Sequence, residues 1–413
     1  MNIARWTLAL ALIAFLAAPA LAQVGLDFDE EFAEEFGSKP AEDKTPVIPM
    51  NPQDPTWDAW RLEREDLMKG REPGPINVQR APFGMDWQGI PTFFHQPIAL
   101  TTEDLKAGKV DVAILGAHTD MGTGMRGAAQ GPRAFRACCP YGGWGEVSTP
   151  HMGAMLDPFH ELAVVDYGDA PNDLMSTERT VHAVRKMVRQ VASVQHEDGS
   201  RVIPIIIGGD HSLMYPDAAA LADVYGKGNV GVVHFDSHYD AGKYFFGHLI
   251  GHGMPVYRLL KEGHVPGPNF IQVALRGYYP DKETFEWLRE QGLRYHTMAE
   301  IERFGFEKVM EAVLREANDG PEYIFVSFDI DALDPAYMPG TGTPEPGGLT
   351  TREAFPIVRR LCAESNVVGF ELVELLPLAD PGYTTVMNAN RIVRECLTGI
   401  AMRKKGITEK HYL

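Results

Sequence analysis

Three short stretches set metal-binding side chains where they could do chemistry together. Asp236 to Asp240 (DSHYD) follows directly on the apolar run Val230 to Phe235, and Asp236, His238 and Asp240 stand two residues apart. If the backbone stays extended, all three project from one face and converge on one point. Taken alone, such a DxHxD is equally a polar strand end with capping carboxylates. Two further apolar runs end the same way, however: Val202 to Ile207 runs into Gly208 to Ser212 (GGDHS), and Tyr323 to Phe328 into Asp329 to Asp334 (DIDALD). Buried parallel strands read as continuous apolar runs, and in open α/β sheets ligands bind beyond the strands' carboxyl ends. His211, Asp236, His238, Asp240, Asp329 and Asp331 therefore read as one polynuclear metal site.

Four carboxylates and two imidazoles form a hard, oxygen-rich set that suits Mn²⁺ better than Zn²⁺. A single divalent ion would leave much of the negative charge uncompensated, so the set calls for two. Ions in such pairs lie roughly 3.5 to 4 Å apart, and metal binding brings the pKa of a water from about 15.7 to near 7. That chemistry fits attack on an electrophile too weak for neutral water.

The elements that must hold these residues follow from the pattern of the chain. Strands are expected near 110–115, 162–165, 202–207, 230–235, 270–274, 292–296, 323–328 and 367–372, with helices between most of them. Ser176 is a natural cap for a helix over Arg179 to Val194, and Gly131-Pro132 fits the start of another. Alternation of this kind implies an α/β domain with a mostly parallel sheet covered on both faces. The length of 413 residues and the 45% hydrophobic content allow one large α/β domain or two smaller ones. A formal net charge of -18 argues against nucleic acid as a partner and suits a small cationic substrate.

The two ends differ from the middle. Arg5, the apolar stretch Thr7 to Ala18 and Ala20-Leu21-Ala22 form a secretory-signal pattern over residues 1–22, with cleavage expected before Gln23. The apolar stretch is too short to span a bilayer, so the expectation is an exported protein, periplasmic or secreted, with no stable membrane anchor after cleavage. Residues 23–82 read as an acidic, Pro-containing tail; between Asp27 and Lys44 eight acids face two lysines. An oligomer arm built on Phe28, Phe32 and Phe36 is the alternative. The catalytic domain is expected over 83–413. Export permits disulfides, but the pairing of Cys138, Cys139, Cys362 and Cys396 stays open, and the four read mostly as buried small hydrophobes.

GGDHS, DSHYD and SFDIDALDP resemble, in order and spacing, the three metal signatures of the ureohydrolases, the family of arginases, agmatinases and guanidinobutyrases. The resemblance covers roughly Phe83 to Met402. Gly89 to Phe93 (GIPTF), Asp166 to Asp169 (DYGD) and the loop Gly116 to Arg136 are similar to agmatinases, with His118 standing where a proline is more usual. The resemblance implies a three-layer α/β/α fold around an eight-stranded sheet, a trimer or hexamer, and release of urea from a guanidino compound. It assigns His211, Asp236, Asp240 and Asp329 to one Mn²⁺ and Asp236, His238, Asp329 and Asp331 to the other. Glu374, in VELLP, falls where the family places the carboxylate that grips the guanidinium, and His252, in HGMP, where it places a proton-shuttling histidine titrating near neutrality. His248 competes with His252, and Glu371 is a candidate for support behind the ligands.

Ala241 to Gly251 (AGKYFFGHLIG) is apolar and aromatic where arginases carry a polar stretch that holds the amino-acid end of arginine. Such a wall disfavours a zwitterion, whose unpaired charges are costly to bury. Agmatine is the first expectation; Lys243 leaves an opening for guanidinobutyrate or another guanidino acid. A mononuclear zinc deacetylase and a non-catalytic exported guanidine-binding protein are the readings from other classes.

Overall fold

Eight parallel strands carry the runs of Val, Ile and Phe. They are β1 (Val112–Ala117), β2 (Val164–Asp169), β3 (Ile203–Gly208), β4 (Val230–Phe235), β5 (Phe270–Leu275), β6 (Arg294–Thr297), β7 (Tyr323–Asp329) and β8 (Val367–Val373). Each begins within two residues of its expected start. The computed structural model describes residues 51, 53, 67–80, 88–138, 149–278, 280–380 and 382–407. All but the first two fall in one unit, Asp58–Leu413. The expected leader at 1–22 and most of the acidic tail lie outside the described residues. Within them, no helix is long and apolar enough to cross a membrane.

The strands lie in the order β2-β1-β3-β8-β7-β4-β5-β6, every neighbouring pair parallel. Side chains alternate between the two faces of a strand. Ile205, Ile207, Phe235, Phe328 and Phe370 therefore share one face, packed beneath α3 (Phe306–Ala317), α4 (Thr351–Glu364) and α5 (Thr384–Lys404). Ala113, Leu115 and Ile206 face the other way, beneath α1 (Thr177–Ser193) and α2 (Met214–Tyr225). Both faces are buried, which is why the strands read as unbroken apolar runs. Each fully buried Phe contributes about 2–3 kcal/mol of transfer free energy before entropy is counted.

Local signals fix the helices as their sequences suggest. Ser176 caps α1 by accepting the Arg179 N–H at 3.2 Å, and Thr350 with Glu353 forms a capping box at the start of α4. At Gly399, α5 comes so close to α4 that an added Cβ would lie 2.6 Å from the Cys362 Cβ. Residues 67–80, which composition alone puts in the tail, are tied to the domain. Arg71 donates to both Asp104 oxygens at 2.7 and 2.6 Å, and Ile76 bridges Ile98.

Candidate metal centre

Strand order is what assembles the site. β3, β8, β7 and β4 are consecutive in the sheet, although in the chain they come as the third, eighth, seventh and fourth strands and are separated by other elements. Their carboxyl ends open side by side. From β3 comes His211, from β4 Asp236, His238 and Asp240, from β7 Asp329 and Asp331, and from β8 Glu374. The six residues singled out by type and spacing are brought together, and all but His238 are buried.

The geometry centres on two groups. His211 Nδ1 lies 2.9 Å from Asp236 Oδ2, 3.0 Å from Asp240 Oδ2 and 3.1 Å from Asp329 Oδ2. His238 Nδ1 lies 3.0 Å from Asp331 Oδ2 and 3.4 Å from Asp236 Oδ1. Candidate ligand atoms of His211, His234, Asp236 and Asp240 fall within 4.8 Å of one another, and so do those of Asp236, His238 and Asp331. Asp236 belongs to both groups. Asp329 falls outside both at that limit and meets the first at His211.

The convergence is not that of an extended strand. β4 ends at Phe235, and the chain then bends, with the Asp236 carboxylate accepting the His238 N–H and Asp240 held at φ 48°. Ligand spacing of two residues thus serves a turn, because the carboxylate is short enough to bond the backbone two residues on.

Electrostatics show what the cluster could hold. Burial, then the charges of Asp331 and Asp236, push Asp329 well above the usual carboxylate range, and burial with Asp236 pushes Asp331 up to about 6. Against their own burial, carboxylate hydrogen bonds raise His211 well above its ordinary value and push His238 up to about 12. His211 Nδ1 is moreover buried without a well-formed hydrogen bond. Cations between these groups would ionise the acids and leave both imidazoles neutral to donate lone pairs, so the residues fit a divalent metal pair.

Several supporting residues escape sequence reading. Ser327 Oγ meets His211 Nε2 at 2.8 Å, which leaves Nδ1 facing the carboxylates. His234 Nε2 meets Asp236 Oδ2 at 2.8 Å, while Gln272 Nε2 donates to His234 Nδ1 at 3.1 Å. Both His234 and Ser327 stand two residues before the first aspartate of their motif, on the same strand face. That interval was the available signal. Asp210 is a third: its carboxylate accepts from Ser212 and, at 2.8 Å, from the Gly122 N–H. Glu371 is fully buried, 3.8 Å from His211 Nε2, beside the buried Asp217. Burial, then the charge of Glu371, push Asp217 well above the carboxylate range.

Glu374 and His252 close the outer side of the cluster. Glu374 sits at φ 61°, and its Oε1 accepts the His211 N–H at 2.9 Å and lies 3.5 Å from His252 Nδ1. Although burial lowers it, the hydrogen bond and charge of Glu374, with Asp240 and Asp210 behind, raise His252 to about 9. The histidine expected to titrate near neutrality is therefore protonated there. His248 lines the same cavity as His252, and among the described residues its backbone pairs with Phe245 at 2.9 and 3.0 Å, while His118 is held between the Ala129 carbonyl and Asp169.

Beyond His252 opens a cavity of about 660 Å³, walled by Tyr239, Tyr244, Phe245 and Met175, with Arg126 and Glu178 among its charged residues. Lys243 is exposed and does not line it. The aromatic loop forms the rim; Phe246 is 88% exposed.

Comparison with known proteins gives the same direction. The model of the arginase family matches residues 110–399. A guanidinobutyrase of Pseudomonas aeruginosa is 35% identical over 73% of this chain and 90% of its own length. A mitochondrial agmatinase of Gallus gallus is 36% identical over 73% of this chain and 83% of its own. The solved structure of proclavaminate amidino hydrolase from Streptomyces clavuligerus matches with a TM-score of 0.67 at 29% identity, covering 78% of this chain and 100% of that one. Trypanosoma cruzi formiminoglutamase, solved with Mn²⁺, matches with a TM-score of 0.63 at 26% identity, covering 71% and 95%.

Proposed function

Because the chain belongs to the arginase family and acts on guanidino compounds, we propose that it is a binuclear manganese hydrolase converting agmatine and water to putrescine and urea. The observation that carries the proposal is the position of Glu374, buried, hydrogen-bonded to His211 of the six-residue cluster and 3.5 Å from His252, which lines the cavity. Manganese is favoured by the oxygen-rich donor set and by its presence in the Trypanosoma cruzi relative. His211, Asp236, Asp240 and Asp329 would hold one ion, and Asp236, His238, Asp329 and Asp331 the other. Bound there, the pair would supply Lewis acidity, lowering the pKa of a water toward about 7 so that it can attack.

The protein's own groups do the rest. The Glu374 carboxylate matches the planar fork of a guanidinium with two parallel hydrogen bonds and so fixes the carbon over the cluster. His252, protonated at neutral pH, hands its proton to the departing amine, which would otherwise leave as an unstable anion. The walls of Tyr239, Tyr244 and Phe245 offer aromatic faces to an aliphatic ammonium tail, and Glu178 adds a carboxylate.

One observation favours a second substrate: Arg126 lines the same cavity, 55% exposed at its side chain, and would suit the carboxylate of guanidinobutyrate. Urea release by the manganese-loaded protein from agmatine, guanidinobutyrate, guanidinopropionate and arginine, measured side by side, decides. Highest kcat/KM on agmatine is expected. Preference for guanidinobutyrate moves the tail recognition to Arg126, and preference for arginine overturns the reading of the wall.

Export and assembly complete the proposal. Amino-terminal sequencing of protein from the extracytoplasmic fraction is expected to begin at Gln23, and light scattering to give three or six times the chain mass. A full-length cytoplasmic product, or a monomer, overturns the respective part.

A further inference from the structure

Cys362 on α4 and Cys396 on α5 face each other inside the helical layer, their Sγ atoms 2.9 Å apart. A disulfide measures about 2.05 Å, so less than about 1 Å of movement separates the two thiols from a covalent bond. The approach is built into the helix pair. Gly399 lies one turn beyond Cys396, and its missing side chain lets α5 settle against the Cys362 Cβ and the Arg359 carbonyl. Around them, the buried Glu395 of α5 binds Arg359 of α4, which holds the helices in register. We propose that Cys362 and Cys396 are an oxidisable pair that forms an intrachain disulfide joining α4 to α5.

The oxidant has a route. Both cysteines are buried, but Cys362 lines a cavity of about 830 Å³ at the amino-terminal end of the sheet, opposite the metal cluster. The rim of that cavity carries more cations than acids, among them Lys106, Lys109 and Arg403. It suits a small anionic disulfide such as oxidised glutathione. The Cys362 sulfur attacks one sulfur of the oxidant and releases one thiol. Cys396 then attacks the Cys362 sulfur and releases the second. The two protons of the protein thiols end on the two released thiols, and the two electrons on the reduced oxidant. Burial and the neighbouring Cys362 keep the Cys396 thiol well above its ordinary pKa, which is consistent with its acting second. The cross-link closes a segment that contains β8 and Glu374.

Neither cysteine touches the metal cluster, so the test does not depend on the reaction assigned to it. The full chain is incubated with oxidised glutathione or with a phosphine reductant, unfolded in acid, alkylated and mapped by mass spectrometry. The oxidised sample is expected to lose alkylation at Cys362 and Cys396 together and to yield the peptide joining them. In Cys396→Ser, Cys362 is expected to carry glutathione instead. Melting should fall by roughly 5 °C on reduction of the wild type and not move in the Cys362→Ala, Cys396→Ala double variant. Alkylation of both cysteines after oxidation, or a bond from either to Cys138 or Cys139, overturns the proposal. So does a cross-link whose reduction leaves melting unchanged.

Discussion

The Glu374 carboxylate accepts the backbone N–H of His211 at 2.9 Å, across 163 residues of sequence. The group assigned to the guanidinium is therefore also a cap on the turn that carries a proposed metal ligand. These two duties are separable. Glu374→Gln keeps an acceptor for His211 but loses the charge, so kcat/KM should fall by about 100-fold with melting nearly unchanged. Glu374→Ala loses both and should also cost about 1–2 kcal/mol in urea unfolding. Equal stability losses in the two variants would remove the capping role.

His252 carries its own pH signature. Its pKa is raised to about 9, so the proton it donates is present at pH 7 and is lost as pH rises through about 9. The stability it adds has the same sign: present in full below its ordinary 6.5 and gone above about 9. His252→Ala should lower kcat by about 100-fold or more, abolish the alkaline limb of the rate profile and leave bound metal unchanged. Loss of metal would make it a ligand instead.

Asp236 stands in both ligand groups and Asp331 in one. Elemental analysis of the wild type should give two manganese ions per chain. Asp331→Asn should retain one, and Asp236→Asn should fall below one. Removal of metal with a chelator should lower the melting temperature and stop urea release, and Mn²⁺ should restore both. One tightly held zinc ion per chain would favour the deacetylase reading.

Glu395 tests the helical layer independently of catalysis. Burial would raise it, but His151, Arg359 and Arg391 bring it from an ordinary 4.5 down to about 2. A depressed carboxylate stabilises the fold above its unfolded pKa and loses that stabilisation as pH falls toward its folded one. The shift corresponds to about 3 kcal/mol. Glu395→Gln, which leaves buried Arg359 without its carboxylate, should cost about 3 kcal/mol at pH 7, and the gap to wild type should narrow below pH 4.5 and close as pH falls through about 2. A gap independent of pH would show a packing effect instead.

Much of the fold was legible because a strand buried on both faces needs apolar residues throughout, and β4 (VGVVHF) and β7 (YIFVSFD) show this directly. The six-residue cluster was legible because carboxylates and imidazoles gathered at strand ends have few other uses. His234 and Ser327 were not, since one polar residue in an apolar run looks incidental until the neighbouring strand is known. The pKa of His252 was hidden for the same reason: Glu374, which sets it, arrives from a distant segment. Nor does spacing alone reveal the bend after Phe235, since two-residue intervals serve strands and turns alike.

β8 lies between β3 and β7, yet it comes last of the eight described strands in chain order. Without residues 367–373 the same strand order would be split into two half-sheets, β2-β1-β3 and β7-β4-β5-β6, each with a bare inner edge. Unpaired edges of that kind invite wrong partners during biogenesis. Closing the gap zips the halves together and delivers Glu374 in the same event. A prematurely terminated product lacking this insert therefore has neither a continuous sheet nor a complete reaction centre.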